Sequence, residues 1–143
     1  ASKVLDIATE RDAKIKANAI QIGSSYFTNK GQTLFAANNF NEALASFDKA
    51  LEFDANSENL YYLKDSCLKK LEKYDDAIAT GKKGLNVESK SQDIRNGIHL
   101  ELARAYEAKG DTGNACSNYK EAAKSEAFKV EANQKMKDVL KCN

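Results

Sequence analysis

The chain contains no proline and only 7 glycines in 143 residues. Few breakers means little of the punctuation that β-sheet proteins need and little to interrupt helices, so an all-α chain is expected. Neither sign of charge dominates, with 22 Lys and Arg against 21 Asp and Glu. The field that draws in a polyanion is missing, and nucleic acid is set aside as a partner. No run approaches the roughly 18 apolar residues of a membrane span, so no membrane insertion is expected. The first segment, Ala1 to Arg11, mixes charges among its apolar residues, unlike a signal peptide. A start at Ala1 without Met suggests a processed or trimmed product, and the composition is that of a soluble chain. Both a cytoplasmic and, if a signal peptide was removed, an extracytoplasmic location stay open.

Reactive residues are scarce. Cys67, Cys116 and Cys142 show no Cys-x-x-Cys spacing, and the single histidine, His99, cannot complete a zinc set from its sequence neighbours. No metal and no cofactor is expected. The cysteines read as structural thiols, Cys67 and Cys116 on apolar helix faces and Cys142 exposed near the end. There is no Gly-rich phosphate loop, no His beside a nucleophile, and no carboxylate pair outside ordinary helix patterning, so no catalytic residues are assigned and the chain is not expected to be an enzyme. His99 falls at an apolar position and reads as a packing residue.

What the chain does have is self-similarity. Phe27 matches Tyr61, Leu34 matches Leu68, Phe40 matches Tyr74, Ala43 matches Ala77 and Leu51 matches Leu85, every pair 34 residues apart. A third copy follows, with Ala115 standing 38 residues after Ala77, as it would after a four-residue insertion. Within each copy the apolar residues recur at helical spacing in two stretches, so each copy is two amphipathic helices. Asn38-Asn39 with Asn41, then Asp54 to Ser57, supply turn and N-cap chemistry between them.

Helices are expected at about 24–37, 40–53, 57–71, 75–87, 93–109 and 112–125. The whole chain, 1–143, is one domain: an N-terminal helix over 1–23, repeats over 24–57, 58–91 and 96–129, and a capping helix over 128–141. The extra residues between Leu85 and His99 lengthen either a loop or the front of the fifth helix. Val4, Ala8, Ile15, Ala19 and Ile22 make one stripe, which should pack on the first repeat, and the helix can run on through Gly23. Phe128, Ala132, Met136, Val139 and Leu140 make the capping stripe.

Small residues at Ala43, Ala50, Ala77, Gly84, Ala115 and Ala122, with aromatics at Phe27, Tyr61, Tyr106, Phe40, Tyr74, Phe47 and Tyr119, resemble the tetratricopeptide repeat, whose period is this one. The resemblance covers about residues 24 to 129 and implies a solenoid of three helix pairs with flanking helices. The family's usual proline is replaced by Ala55, Ser89 and Ala127. Gly81 stands where the family has a large apolar residue. Gly81 and Gly84 read as tolerated drift costing about 1 kcal/mol each relative to alanine, or else as a close backbone approach. On the first reading Gly84→Ala should stabilise the fold.

The resemblance also implies a function: a protein-protein interaction module, an adaptor that binds a peptide or helix of a partner in the concave groove lined by the first helix of each repeat. Carried over residue by residue, that groove presents Ser25, Thr28, Gln32 and Phe35, then Asn59, Tyr62, Ser66, Lys69 and Lys70, then Leu100, Arg104 and Glu107. Tyr62 is the candidate anchor, and Lys69, Lys70 and Arg104 form a basic trio that reads either as an ordinary solvated face or as a site for an acidic segment. The family's grip on chaperone C-terminal carboxylates needs Lys, Asn and Arg donors where this chain has Thr28, Gln32, Leu63, Gly97 and Glu101, so that use is disfavoured. The alternative is a structural or self-associating scaffold, a homo-oligomer packed through its terminal helices.

Overall fold

A computed structural model of the chain describes residues 2–143. Among them every regular element is helical: α1 (Ser2–Ala36), α2 (Phe40–Phe53), α3 (Glu58–Lys70), α4 (Tyr74–Asn86), α5 (Gln92–Ala108), α6 (Thr112–Ala122) and α7 (Lys129–Gln134). A wider π-helical turn over Lys135–Val139 continues α7. The helices pack in consecutive pairs, α1 on α2, α3 on α4 and α5 on α6, and the pairs stack through α2–α3, α4–α5 and α3–α5. This is an all-α solenoid. None of the described helices is long and apolar enough to cross a membrane.

The period is written into the backbone as well as the side chains. Asn38, Glu72 and Gly110 each take a left-handed conformation, with φ of 63°, 58° and 78°, just past the first helix of each pair. The next N–H in each turn, from Asn39, Lys73 and Asp111, reaches back to the carbonyls of Leu34, Leu68 and Tyr106 at 2.8, 2.9 and 2.9 Å. Each first helix thereby ends in the same Schellman closure. Glycine adopts this geometry freely and asparagine readily, whereas Glu72 bears a cost of about 1 kcal/mol.

Caps start several of the helices. Ser57 Oγ accepts the Leu60 N–H, Ser91 Oγ the Ile94 N–H, and Asp111 Oδ1 the Asn114 N–H. Asn39 sits at the start of α2 without a side-chain capping bond, contrary to its sequence reading. The insertion is one extra turn at the front of α5, which has 17 residues against 13 in α3. Glu58, buried at the start of α3, fixes the loop ahead of that turn by accepting the Lys90 and Ser91 N–H groups at 2.9 and 2.7 Å.

Small residues are required where helices approach closest, and Ala43, Ala50, Ala77, Ala115 and Ala122 are all fully buried. Gly31 admits the Phe47 ring, whose Cε1 lies only 2.5 Å from where a Cβ would stand. The second pair solves the same contact differently. Gly81 aligns with Phe47 and Tyr119, and Asp65 aligns with Gly31 and Ala103. Here the glycine is on the second helix, and Asp65 and Leu102 fill the space, 2.8 and 2.7 Å from an imagined Cβ on Gly81.

Three sequence expectations are corrected. Residues 3–22 do not pack on the first repeat: they are the projecting front of α1, exposed along their whole length. A methyl group on Gly84 would meet Tyr61 Cβ at 2.8 Å and Ile98 Cδ1 at 3.0 Å, so this glycine marks a close helix approach and not drift. Cys116 and Cys142 are not free thiols but a disulfide, joining α6 to the residues after the π-helical turn across a Cα separation of 5.8 Å. The packing of α7 and the π-helical turn back against α6 brings them together, which spacing alone does not display. Cys67 is the buried free thiol, its pKa pushed up to about 12 by burial and then by Asp48.

Candidate protein-interaction groove

α1, α3 and α5 lie in succession on one side of the array, and α7 takes the next place beside α5, where Arg104 reaches Glu131. From α1, Thr28 is half-buried, its hydroxyl donating to the Ser24 carbonyl at 2.7 Å, and Gln32 is exposed. Phe35 turns instead into the end of its own pair, packing edge-on to Phe40 with ring centroids 5.1 Å apart. From α3 come Tyr62, half-buried, and Ser66, whose hydroxyl donates to the Tyr62 carbonyl at 3.2 Å. The Tyr62 ring lies over Gly97 of α5, which has no side chain to push it away. Burial, and then the Glu101 carboxylate, raise the Tyr62 hydroxyl above its ordinary pKa.

The charges nearby do not form the free basic trio expected from sequence. Glu101, buried on α5, pairs with Lys69 at 2.8 Å and with Arg104 at 2.8 Å. Arg104 also donates in a fork to both oxygens of Glu131, each at 2.7 Å. Two cations face two carboxylates in one network, so the group is neutral, and only Lys70 stands exposed beside it. Leu100 is buried with Ile98, Leu102 and Ala103, so it supports the groove from beneath and does not line it. Glu107 is likewise occupied, accepting from the Tyr119 hydroxyl at 2.5 Å and from Lys135 at 3.0 Å.

Behind this network sits a residue that the sequence reading missed. Asp65 is fully buried on α3, and neither of its carboxylate oxygens has a hydrogen-bond partner among the described residues. Burial, and then the neighbouring negative charge of Glu101, push its pKa up to about 8, with Lys69 opposing. The signal was present: an acidic residue at a position where the other two copies have Gly31 and Ala103. His99, which aligns with Phe27, is half-buried with Nδ1 2.9 Å from Asn118 Oδ1, a link between α5 and α6 and not part of this face.

Paired helices with the same closure repeated at this period, their first helices side by side with few free charges between them, define a helical-repeat scaffold of the protein-interaction kind. Two family profiles match the chain: "Anaphase-promoting complex, cyclosome, subunit 3" over residues 16–83 and "Tetratricopeptide repeat" over residues 97–128. The chain belongs to the tetratricopeptide repeat family. It is 33% identical over 61 residues to the STIP1 homolog of Dictyostelium discoideum, a match spanning 43% of this chain and 11% of that protein. Among solved structures it resembles the Arabidopsis OM64 TPR domain, with TM-score 0.72 and 16% identity over 82% of this chain and 97% of that one. It also resembles PcrH in complex with the chaperone binding region of PopD, with TM-score 0.70 and 16% identity over 79% and 87% of the two chains. At these identities the structural likeness concerns the fold.

Proposed function

We propose that the face formed by α1, α3 and α5 binds an extended segment or helix of a partner protein, with Tyr62 as its aromatic anchor. The observation that carries this reading is Tyr62 itself: a half-buried ring packed against Gly97, with hydrogen-bonding side chains at Thr28, Gln32 and Ser66 on α1 and α3. An amphipathic ring held in place gives contact area at little entropic cost. A fold neighbour that holds a segment of another protein, the PcrH complex, supports the mode of use.

The neutral network favours a polar segment of low net charge over an acidic one. An acidic peptide would have to displace Glu101 or Glu131 from cations that each already holds. The same argument weighs against a chaperone C-terminal carboxylate, since Glu101 puts a buried negative charge where that ligand needs a donor.

Photo-crosslinking tests the reading. A crosslinker at exposed Gln32 should trap a partner segment that one at exposed Lys120, on α6, does not. Tyr62→Phe, which keeps the ring, should retain the captured segment, and Tyr62→Ala should weaken it by about 1–2 kcal/mol. Capture at Lys120 alone would move the binding surface off this face.

A further inference from the structure

The front of α1 is a helix without a partner. From Lys3 to Ile22 every residue is exposed, and Leu5, Ile15 and Ile22 expose 66%, 58% and 69% of their surface. A free helix of about 20 residues is marginal in water, and apolar surface of this extent on a helix marks a contact. Part of this apolar surface is ordered, with Ile7 and Ile20 standing off the stripe. Leu5, Ala8, Asp12, Ile15, Ala19 and Ile22 follow the alternating 3–4 spacing of a coiled-coil seam, interrupted by one charge. Lys3, Asp6, Glu10 and Lys14 fall on the opposite side of the helix.

We propose that residues 4–22 of α1 pair with the same segment of a second copy of this chain as an antiparallel two-stranded coiled coil. Matching the seam with its own reverse places Leu5 against Ile22, Ala8 against Ala19, and Asp12 against Ile15. Leu5 and Ile22 meet as large apolar partners, alanine meets alanine where the helices come closest, and each Asp12 faces an Ile15. The charges select the direction. Parallel pairing stacks Asp12 on Asp12 and sets Arg11 beside Lys16, both like-charge contacts inside a seam. Antiparallel pairing removes both and brings Asp12 beside Lys16 of the second copy.

Geometry and field permit the arrangement. The seam runs about 28 Å at 1.5 Å per residue, so the two solenoids lie at its opposite ends. A net charge of +1 per chain sets up no long-range repulsion between copies. Two helices of this length bury roughly 1,100 Å², the low end for a specific interface, so a reversible dimer is expected.

Sedimentation equilibrium of the full chain, from about 1 to 200 µM, reads the dimer as a concentration-dependent mass above 15.7 kDa. Ile15→Lys with Ile22→Lys should raise the dissociation constant at least about 30-fold. Ile7→Lys, an equally exposed change off the seam, should leave it within about twofold, with circular dichroism confirming helicity of each variant. Ala8→Cys and Ala19→Cys report direction, because oxidising a mixture of the two variants should link one to the other in preference to either with itself. A chain that stays monomeric throughout leaves the stripe to another protein or segment and overturns the proposal. So does a dimer that survives the double lysine change, one that Ile7→Lys disrupts equally, or self-linking by the single cysteine variants.

Discussion

Asp65→Asn removes a carboxyl group that the fold buries without a partner. An aspartate ordinarily near 3.8 and held at about 8 in the folded protein keeps its proton when folded and gives it up when unfolded. Raising the pH between those values draws a proton from the unfolded state only, so unfolding gains about 1.4 kcal/mol per pH unit. The stability is fully present below about pH 4, is lost as pH rises toward 8, and changes no further above it. At pH 7, about three units above the ordinary value, the loss comes to about 4 kcal/mol. Asparagine has the same shape and no such proton, but its amide brings one more unpaired donor than the protonated carboxyl, which costs about 1–3 kcal/mol at every pH. The variant should therefore exceed the parent by about 1–3 kcal/mol at pH 7, and the gap should widen by about 3 kcal/mol between pH 5 and 7. Urea denaturation followed by circular dichroism at a series of pH values measures both quantities. A gap that stays constant across the series would refute the reasoning, since it would mean that Asp65 carries the same charge in both states.

Gly84→Ala should destabilise the fold by about 1–3 kcal/mol, because the new methyl meets the Cβ of Tyr61 and not the tip of a movable side chain; a rise in the urea midpoint would contradict the close approach. Reducing the Cys116–Cys142 bond, which closes 26 residues of separation, should cost up to about 3.5 kcal/mol by the chain-entropy relation. Thermal melts with and without reductant, and of Cys142→Ser, check this, and equal melting temperatures in all three would show that the bond constrains nothing.

The helix pairs were legible because they rest on period and on residue size. Ala43, Ala77 and Ala115 announce close contacts at fixed spacing, and they lie where that spacing puts them, fully buried. What stayed hidden was pairing between residues of different type. Gly81 looks like a defect while it is compared only with Phe47 and Tyr119; set beside Asp65, which replaces Gly31 and Ala103, it is one half of an exchange of bulk between two helices. The groove cations illustrate a related limit. Lys69 and Arg104 were placed on the right helices, but Glu131 comes from beyond the repeats and Glu101 from a buried position, so the neutralising partners lie outside any local pattern. The front of α1 shows the converse: an amphipathic stripe reports that a face wants cover, and says nothing about which surface provides it.

A stack of helices comes apart from its ends, since a terminal helix has a neighbour on one side only. The Cys116–Cys142 bond changes the odds at one end. When α7 and the turn after it lift away, the covalent link keeps them at a high effective concentration above the seat they have just left, and they return before α6 can follow. The other end has no such tether. Disassembly of the single chain therefore acquires a polarity: a pulling force, a protease or an unfoldase gains entry through α1 and α2 and works toward the latched end, and at concentrations where the chain is monomeric amide exchange should be fastest at the front of α1 and slow around α6 for as long as the bond is intact.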